Sequence, residues 1–406
     1  MRPGTHGWFD NSAEQGIKGK TRQNLRRAGV AVQVAVFSGV MIAFGALALD
    51  LGRLYTARGE LQRAADSAAL AGASAIFTDA GLIRDDARVD HLAASRASEI
   101  TLQNPTLGSG TILDSPDLLI GALDLNDPNA VLDTSGVNRF NAVQVLLRRA
   151  PDSSNGPVSY LFAHIFGQHQ GSVAASATAV VDDRFAGYRT TESNRLLTPF
   201  TIHVERYAEC LADGADDWSF DGEDVVAMSD GVREIRLFPW KLSGGGKKGG
   251  DGSTSDGAGN FGILNVGTGH GVPAVEEQIL HGITPEQLLA EVGTSELIFY
   301  DPFGEPVTYV MGGTPGMKSG MEDALEARIG ELVGFFLHDS YSGTGANLTY
   351  NIVNIRFGRV MEVNLHGNPS DKRLIIQPVA YTGPGIVIKE YAKSSEGAAG
   401  LVRLVR

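Results

Sequence analysis

The chain has 406 residues, enough for two or three domains, and its 43% hydrophobic and 20% charged content, with 51 Gly and 16 Pro, is that of an ordinary folded protein. Its net charge of -13 is unevenly placed: residues 1–27 hold six Lys/Arg against two acids, and the remainder holds 28 against 45. An acidic bulk of -17 excludes general nucleic-acid binding, which depends on neutralising phosphates, and the single Cys210 excludes an intramolecular disulfide framework or a Cys-built zinc or iron–sulfur site.

The first element is Ala28–Leu49, 22 residues without a charge. As a helix it reaches ~33 Å, enough to cross a hydrocarbon core of about 30 Å. Lys18, Lys20, Arg22, Arg26 and Arg27 precede it, and basic residues retained in the cytoplasm place the N-terminus inside and residues 50–406 across the membrane. A cleaved signal peptide is the competing reading, because Ala46-Leu47-Ala48 fits a small-x-small site. The apolar run before it, about 18 residues, exceeds the usual ~7–15, so the segment reads as an anchor. Ala35, Gly39 and Ala43 recur every four residues inside it, a spacing that lets membrane helices approach closely.

Asp50–Phe77 follows without proline and extends the helix. Leu54, Leu61, Ala65, Ala68 and Gly72 fall at helical intervals. Ala64, Ala68 and Gly72 form one small-residue column, with Ala65, Ala69 and Ala73 beside it. Such a surface suits close helix packing, on the chain's own domain or on another subunit; both stay open.

These residues carry a resemblance. Asp50, Leu51, Gly52, Tyr55, Arg58, Leu61, Gln62, Ala65, Asp66, Ala68 through Ala73, after basic residues and an apolar helix, resemble the N-terminal signature of the TadE/TadG-like family of tight-adherence (Flp) pilus assembly. A softer similarity runs to residue 185: a strand at Asn141–Arg148, a short helix at Val158–Phe166 and a strand at Gly171–Val181. The blocks Gly259–Gly267 and Arg373–Tyr381 resemble the C-terminal regions of long members. Two features bear on comparison with relatives and prepilins. The Asp-x-Ser-x-Ser string of a von Willebrand A-type metal site occurs at Asp251–Ser255 inside a Gly/Ser loop, away from any core-forming run, and the fifth residue after Gly29 is Val34 where prepilin processing uses Glu.

Leu82–Gln103 has helical spacing, and Gly108–Gly136 reads as turns between short strands. From Leu196 the pattern turns to β: Leu196–Glu205, Gly231–Trp240, Asn260–Val266, Val307–Met311, Tyr350–Leu365, Arg373–Tyr381 and Ile386–Tyr391. Ser243–Asn260 is a flexible Gly/Ser loop. Thr284-Pro285 starts a helix through Glu291. Ser319 with Glu322 has capping-box spacing and predicts a core helix through Asp339, with Ala324, Leu325, Ile329, Leu332, Val333, Phe336 and Leu337 on one side.

Chemical motifs are sparse. Gly312–Gly320 approaches a phosphate-binding loop but has Met317 where the glycine before Lys is needed, so it reads as a turn. Asp217, Ser219 and Asp221 occupy positions 1, 3 and 5 of a calcium loop with Gly222 at the turn, yet position 12 is Met228 instead of Glu. His164 and His169 lack zinc spacing, and Gly267–Gly271 reads as a turn with one imidazole. Cys210 has no neighbouring histidine to activate it, and no nucleophile elbow occurs.

The chain therefore reads as α+β: a transmembrane helix (28–49) after a cytoplasmic basic segment (1–27), continuing into a long amphipathic helix within a 50–185 domain, then a β-rich extracytoplasmic domain over 195–393 with the loop at 243–260. The resemblance implies a non-enzymatic, single-pass component of the bacterial inner membrane acting in Tad/Flp-type pilus assembly or a related secretion machine. Its implied partners are the membrane, other pilus-assembly or pilin subunits and a second copy of itself, with no nucleic acid. The alternative is a membrane-tethered, adhesin-like binding ectodomain, with calcium at Asp217, Ser219 and Asp221 as the one cofactor in play.

Overall fold

The computed structural model describes residues 12–237, 261–267, 271–316, 319–343, 347–367 and 371–405, with side chains from residue 30. The Gly/Ser loop 243–260, the histidine turn at 268–270 and the Met317-Lys318 step lie outside the described residues, as does the end of the strand predicted over Gly231–Trp240.

Free of proline from Ser12 to Ile76, the chain forms one 65-residue helix, α1, about 98 Å long. Its faces change along its length. Phe37, Met41 and Ile42 are exposed, whereas Ala57, Leu61, Ala64, Ala65, Ala68, Ala69, Ala73 and Ile76 are buried. The short α2 (Asp79–Leu82) turns the chain, and α3 (Asp86–Gln103), capped by the Asp85 carboxylate on the Arg88 amide, returns along α1. Val89, Ala93, Ala97 and Thr101, spaced four apart, form the face of α3 that meets it.

Beneath these helices lie β1 (Leu118–Gly121), β2 (Ala142–Arg149) and β5 (Val173–Asp182), antiparallel in the order β1-β2-β5. Val143, Val145 and Leu147 alternate toward the helices with Ala175, Ala177, Ala179 and Val181. A hairpin of β3 (Val158–Ser159) and β4 (Gln170–Gly171) leaves this sheet. The helix expected over Val158–Phe166 is thus a two-residue strand and one 3-10 turn, Ala163–Phe166, closed by Gly167 at φ +80°.

β6 (Phe185–Arg189) leads into β7 (Leu197–His203), α4 (Val204–Asp213), the small hairpin β8 (Ser219–Phe220) and β9 (Val225–Val226), β10 (Ile235–Arg236) and β11 (Phe261–Leu264). Then come α5 (Val272–His281), α6 (Pro285–Val292), β12 (Glu296–Ile298), β13 (Tyr309–Pro315), α7 (Glu322–Glu326), β14 (Leu332–Ser342), β15 (Leu348–Asn364), β16 (Arg373–Pro378) and β17 (Ile386–Ile388). The helix expected after Thr284-Pro285 forms with a complete capping box between Thr284 and Gln287.

Strands β15, β13, β11, β7 and β14 pair in turn, and β14 pairs with β15 again, closing a five-stranded barrel in which only β7–β14 is parallel. The far half of the 17-residue β15 carries β16, and β10 adds to that edge. Leu197, Leu264, Met311, Phe336, Tyr350 and Ile352 share the inner cluster, while Phe200, Ile202, Ile263, Val333, Phe335 and Leu337 pack under α4, α5 and α7. The Tyr350 ring crosses the barrel over Gly262, where a Cβ would overlap its hydroxyl and fall 2.7 Å from the Thr314 carbonyl oxygen.

One expectation is corrected here. The helix predicted from Ser319 to Asp339 stops after Glu326, and residues 332–342 are the barrel strand β14. Met321 is the N-cap and makes no side-chain cap bond; Glu322 instead accepts from the Leu365 amide at 2.9 Å. Gly330, at φ +84°, breaks the run. Val333 and Leu337 face the outer cluster and Phe336 the barrel interior, so the supposed single stripe is two faces of a strand. The last strand, β18 (Leu401–Leu404), returns to pair with β5 in the first sheet.

Candidate functional site

Ala64, Ala65, Ala68, Ala69 and Ala73 have no exposed surface, and Gly72 is buried beside them. They are covered from within the chain, by α3 and by the inner faces of β2 and β5. A Cβ at Gly72 would stand 3.0 Å from Val143 Cγ1, 3.4 Å from the Ala93 carbonyl oxygen and 3.4 Å from Ala97 Cβ. Of the two occupants the small-residue surface allows, the chain's own domain is the one in place. Every residue of 30–49 except Ala43 and Ala46 is exposed, and Asp50, next in the helix, is buried.

Polar residues fasten this helix at fixed heights. The Gln62 amide donates to Asp66 at 2.8 Å and to the Ser176 carbonyl at 3.0 Å, joining α1 to β5. The Glu60 carboxylate accepts from the Leu107 amide at 2.7 Å. At Asp50, the first charge after the apolar run, the carboxylate accepts from the amides of Leu161 at 2.6 Å, Phe162 at 3.1 Å and Ala163 at 2.7 Å. Burial by itself would raise the Asp50 carboxyl, but these amides, with a lesser contribution from His164, hold it below its ordinary value.

In the tip so held, Leu161, Phe162, Ile165 and Phe166 are 50%, 37%, 70% and 69% exposed. Sequence reasoning took them for a helix and missed the apolar hairpin tip. The signal was present in Leu161-Phe162-Ala163-His164-Ile165-Phe166, which carries neither acid nor Lys/Arg between two Gly-bearing turns.

The acidic segment is organised by its own backbone. The Asp221 carboxylate accepts from the amides of Glu223 at 3.0 Å and Asp224 at 2.9 Å, which keep it below its ordinary pKa. Asp217 enters through its amide, donating to Glu234 at 3.1 Å, and Ser219 is buried in β8. Among the described residues no group of three or more His, Cys, Asp or Glu is placed to hold a metal ion. Gly312–Pro315 of the phosphate-loop-like stretch is part of β13, extended and paired.

A cleft of about 680 Å³ lies beside this segment, lined by Arg206, Asp213, Trp218, Glu234, Glu362 and Arg373 among others. Its charges are largely matched, since the Arg373 Nε donates to Glu362 at 2.7 Å and the Glu234 carboxylate accepts the amides of Asp217 and Trp218. Cys210, on its wall, is buried, and that burial pushes the thiol above its ordinary pKa. A neutral buried thiol is a poor nucleophile.

An 18-residue window within the described part of α1 reaches a mean hydropathy of 2.2, and with the run exposed to the medium this is a membrane-anchored protein. No curated protein and no solved structure matches the chain. Residues 29–75, the apolar run and the buried alanine face of α1, are similar to the family described as putative Flp pilus-assembly TadE/G-like, whose model matches them.

Proposed function

We propose that the chain is a non-enzymatic, single-pass component of Tad/Flp-type pilus assembly in the bacterial inner membrane. Residues 1–27 lie in the cytoplasm, 28–49 cross the bilayer, and the 50–185 and 195–393 domains project on the far side. The observation that supports this reading is the division of α1: its 57–76 face is consumed by the chain's own core, while 30–49 is exposed except along the Ala43 and Ala46 side next to the 160–169 tip. A helix rigidly built into a folded domain transmits that domain's position to whatever meets the span in the bilayer. Val40, Phe44 and Leu47 lie three to four residues apart and supply an apolar contact stripe on the span. The acidic ectodomain offers surfaces for pilin or assembly subunits, work that needs no reaction centre.

The test is crosslinking of the full-length protein in native membranes, then affinity isolation and mass spectrometry. A variant in which residues 30–49 are replaced by an unrelated apolar helix runs alongside. Pilin or pilus-assembly subunits recovered with the native span and lost with the replacement are the expected result. Recovery of no envelope machinery from either, with both still membrane-bound, refutes the proposal.

A further inference from the structure

The hairpin β3–β4 runs along α1 toward its apolar end. At its stem, a Cβ on Gly171 would stand 3.3 Å from Leu54 Cδ2. At its tip, Ala163 and Phe166 line an apolar cavity of about 310 Å³ with Val40, Ala43, Phe44 and Leu47. Ala43, Ala46 and Asp50, spaced three and four apart, are the positions in 30–50 that are not exposed, and so mark a single covered face. Ala43 lies ~10 Å along the helix axis from Asp50, so the tip descends about two turns into the apolar run.

We propose that the tip, residues 160–169, is a second membrane contact: Leu161, Ile165 and Phe166 enter the apolar edge of the leaflet on the ectodomain side, beside the last turns of the span. This rests on reading residues 28–49 as crossing the bilayer. The occupant is lipid because of height. Phe44 and Leu47 are 65% and 52% exposed at the level where Phe166 packs, and the medium that surrounds them surrounds Phe166. The backbone is prepared for that medium, since the amides of Leu161, Phe162 and Ala163 are satisfied by Asp50 and those of Ile165, Gly167 and Gln168 by carbonyls within the tip. The same bonds satisfy the Asp50 carboxylate where water thins out. Two contacts, helix and tip, set the tilt of the first domain on the bilayer, which a lone helix leaves free.

The experiment uses the full-length chain with Cys210→Ala, reconstituted in phosphatidylcholine–phosphatidylglycerol vesicles. Nitroxide labels are placed singly at Leu47→Cys, Ile165→Cys, Phe166→Cys and Val131→Cys, the last 84% exposed on a distant loop. Collision with oxygen is compared with collision with a water-soluble nickel chelate. Labels at 47, 165 and 166 are expected to favour oxygen, and the label at 131 nickel. Nickel access at 165 and 166 with 47 still in lipid overturns the proposal and leaves the anchor standing. Nickel access at 47 as well overturns the anchor reading and the proposal together. Exclusion of both reagents at 165 and 166 means that protein covers the tip, which also overturns it. As a second readout without labels, Phe166→Trp fluorescence is expected to be quenched by lipids with brominated chains; absence of added quenching over the parent protein counts against the proposal.

Discussion

Replacing Gly72 by leucine separates the two occupants that its helix face allows. At this position a Cβ alone meets Val143 Cγ1 at 3.0 Å and the Ala93 carbonyl oxygen at 3.4 Å. The valine methyl can rotate, but the carbonyl belongs to the backbone of α3 and cannot yield without moving that helix. Leucine adds three further carbons where no space exists. Overpacking of this kind costs ~1–3 kcal/mol, against which the gain in helix propensity over glycine returns up to about 1 kcal/mol. A net loss of about 1–2 kcal/mol lowers the unfolding midpoint by ~3–8 °C for a unit of this size. Gly52→Leu, in the same helix with nothing within 4 Å of its Cβ, is the internal control and is expected to leave the midpoint unchanged or slightly raised. The assay is thermal unfolding of the purified full-length protein in detergent, followed by near-ultraviolet circular dichroism at several protein concentrations. If Gly72→Leu unfolds with the parent, as Gly52→Leu does, the alanine face is not built into the chain's own core, and the intramolecular packing described above is wrong.

Three other outcomes follow from the same geometry. Asp50→Asn is expected to speed hydrogen exchange at Leu161, Phe162 and Ala163 specifically, because a neutral amide accepts these bonds more weakly. In the parent the Asp50 carboxyl titrates below its unfolded value of 3.8, so protection of the tip is complete above that pH and fades as pH falls through the folded value; the Asn variant shows no such step. Gly262→Val is expected to prevent the barrel from closing, while Tyr350→Phe, which loses only a 3.4 Å bond to the Thr314 carbonyl, costs under ~1 kcal/mol in denaturant unfolding. Cys210, buried with its thiol pushed up, is expected to stay unreactive toward a soluble disulfide reagent at pH 8 and to yield one thiol per chain after denaturation; fast native reaction or a disulfide-linked dimer would refute its burial.

How much of this was legible in sequence depended on how local each feature is. The apolar helix, α3, the start of α6 at Thr284-Pro285 and the strands β2 and β5 are set by periodicity and caps within a few residues, and they fall where the pattern puts them. β14 was misread because it is buried on both faces: Leu332, Val333, Phe335, Phe336 and Leu337 form a continuous apolar run, which periodicity cannot tell from a buried helix. Its neighbours in the barrel are β15 and β7, and β7 lies some 135 residues earlier. No local signal announces a pairing that distant, so barrel closure was not readable from sequence. The small-residue columns posed a different difficulty, since alanine and glycine suit an internal core and a subunit contact equally well.

Asp50 joins these scales. In sequence it is only the first charge after an apolar run, and a solvated boundary residue would explain it. Its carboxylate instead gathers three consecutive amides from a hairpin more than 100 residues away. A hydroxyl or carboxamide at this position would offer fewer or weaker acceptor sites, and a longer acid would hold the tip farther from Ala46. The acid therefore fixes the height of the 160–169 tip relative to the apolar run, and with it the face of the span left open to partners. That face is set by the chain's own fold, so substitutions along Val40, Phe44 and Leu47 next to the tip are expected to disturb lateral contacts and domain tilt together, whereas those on the opposite side, at Phe37 and Ile42, act on lateral contacts alone.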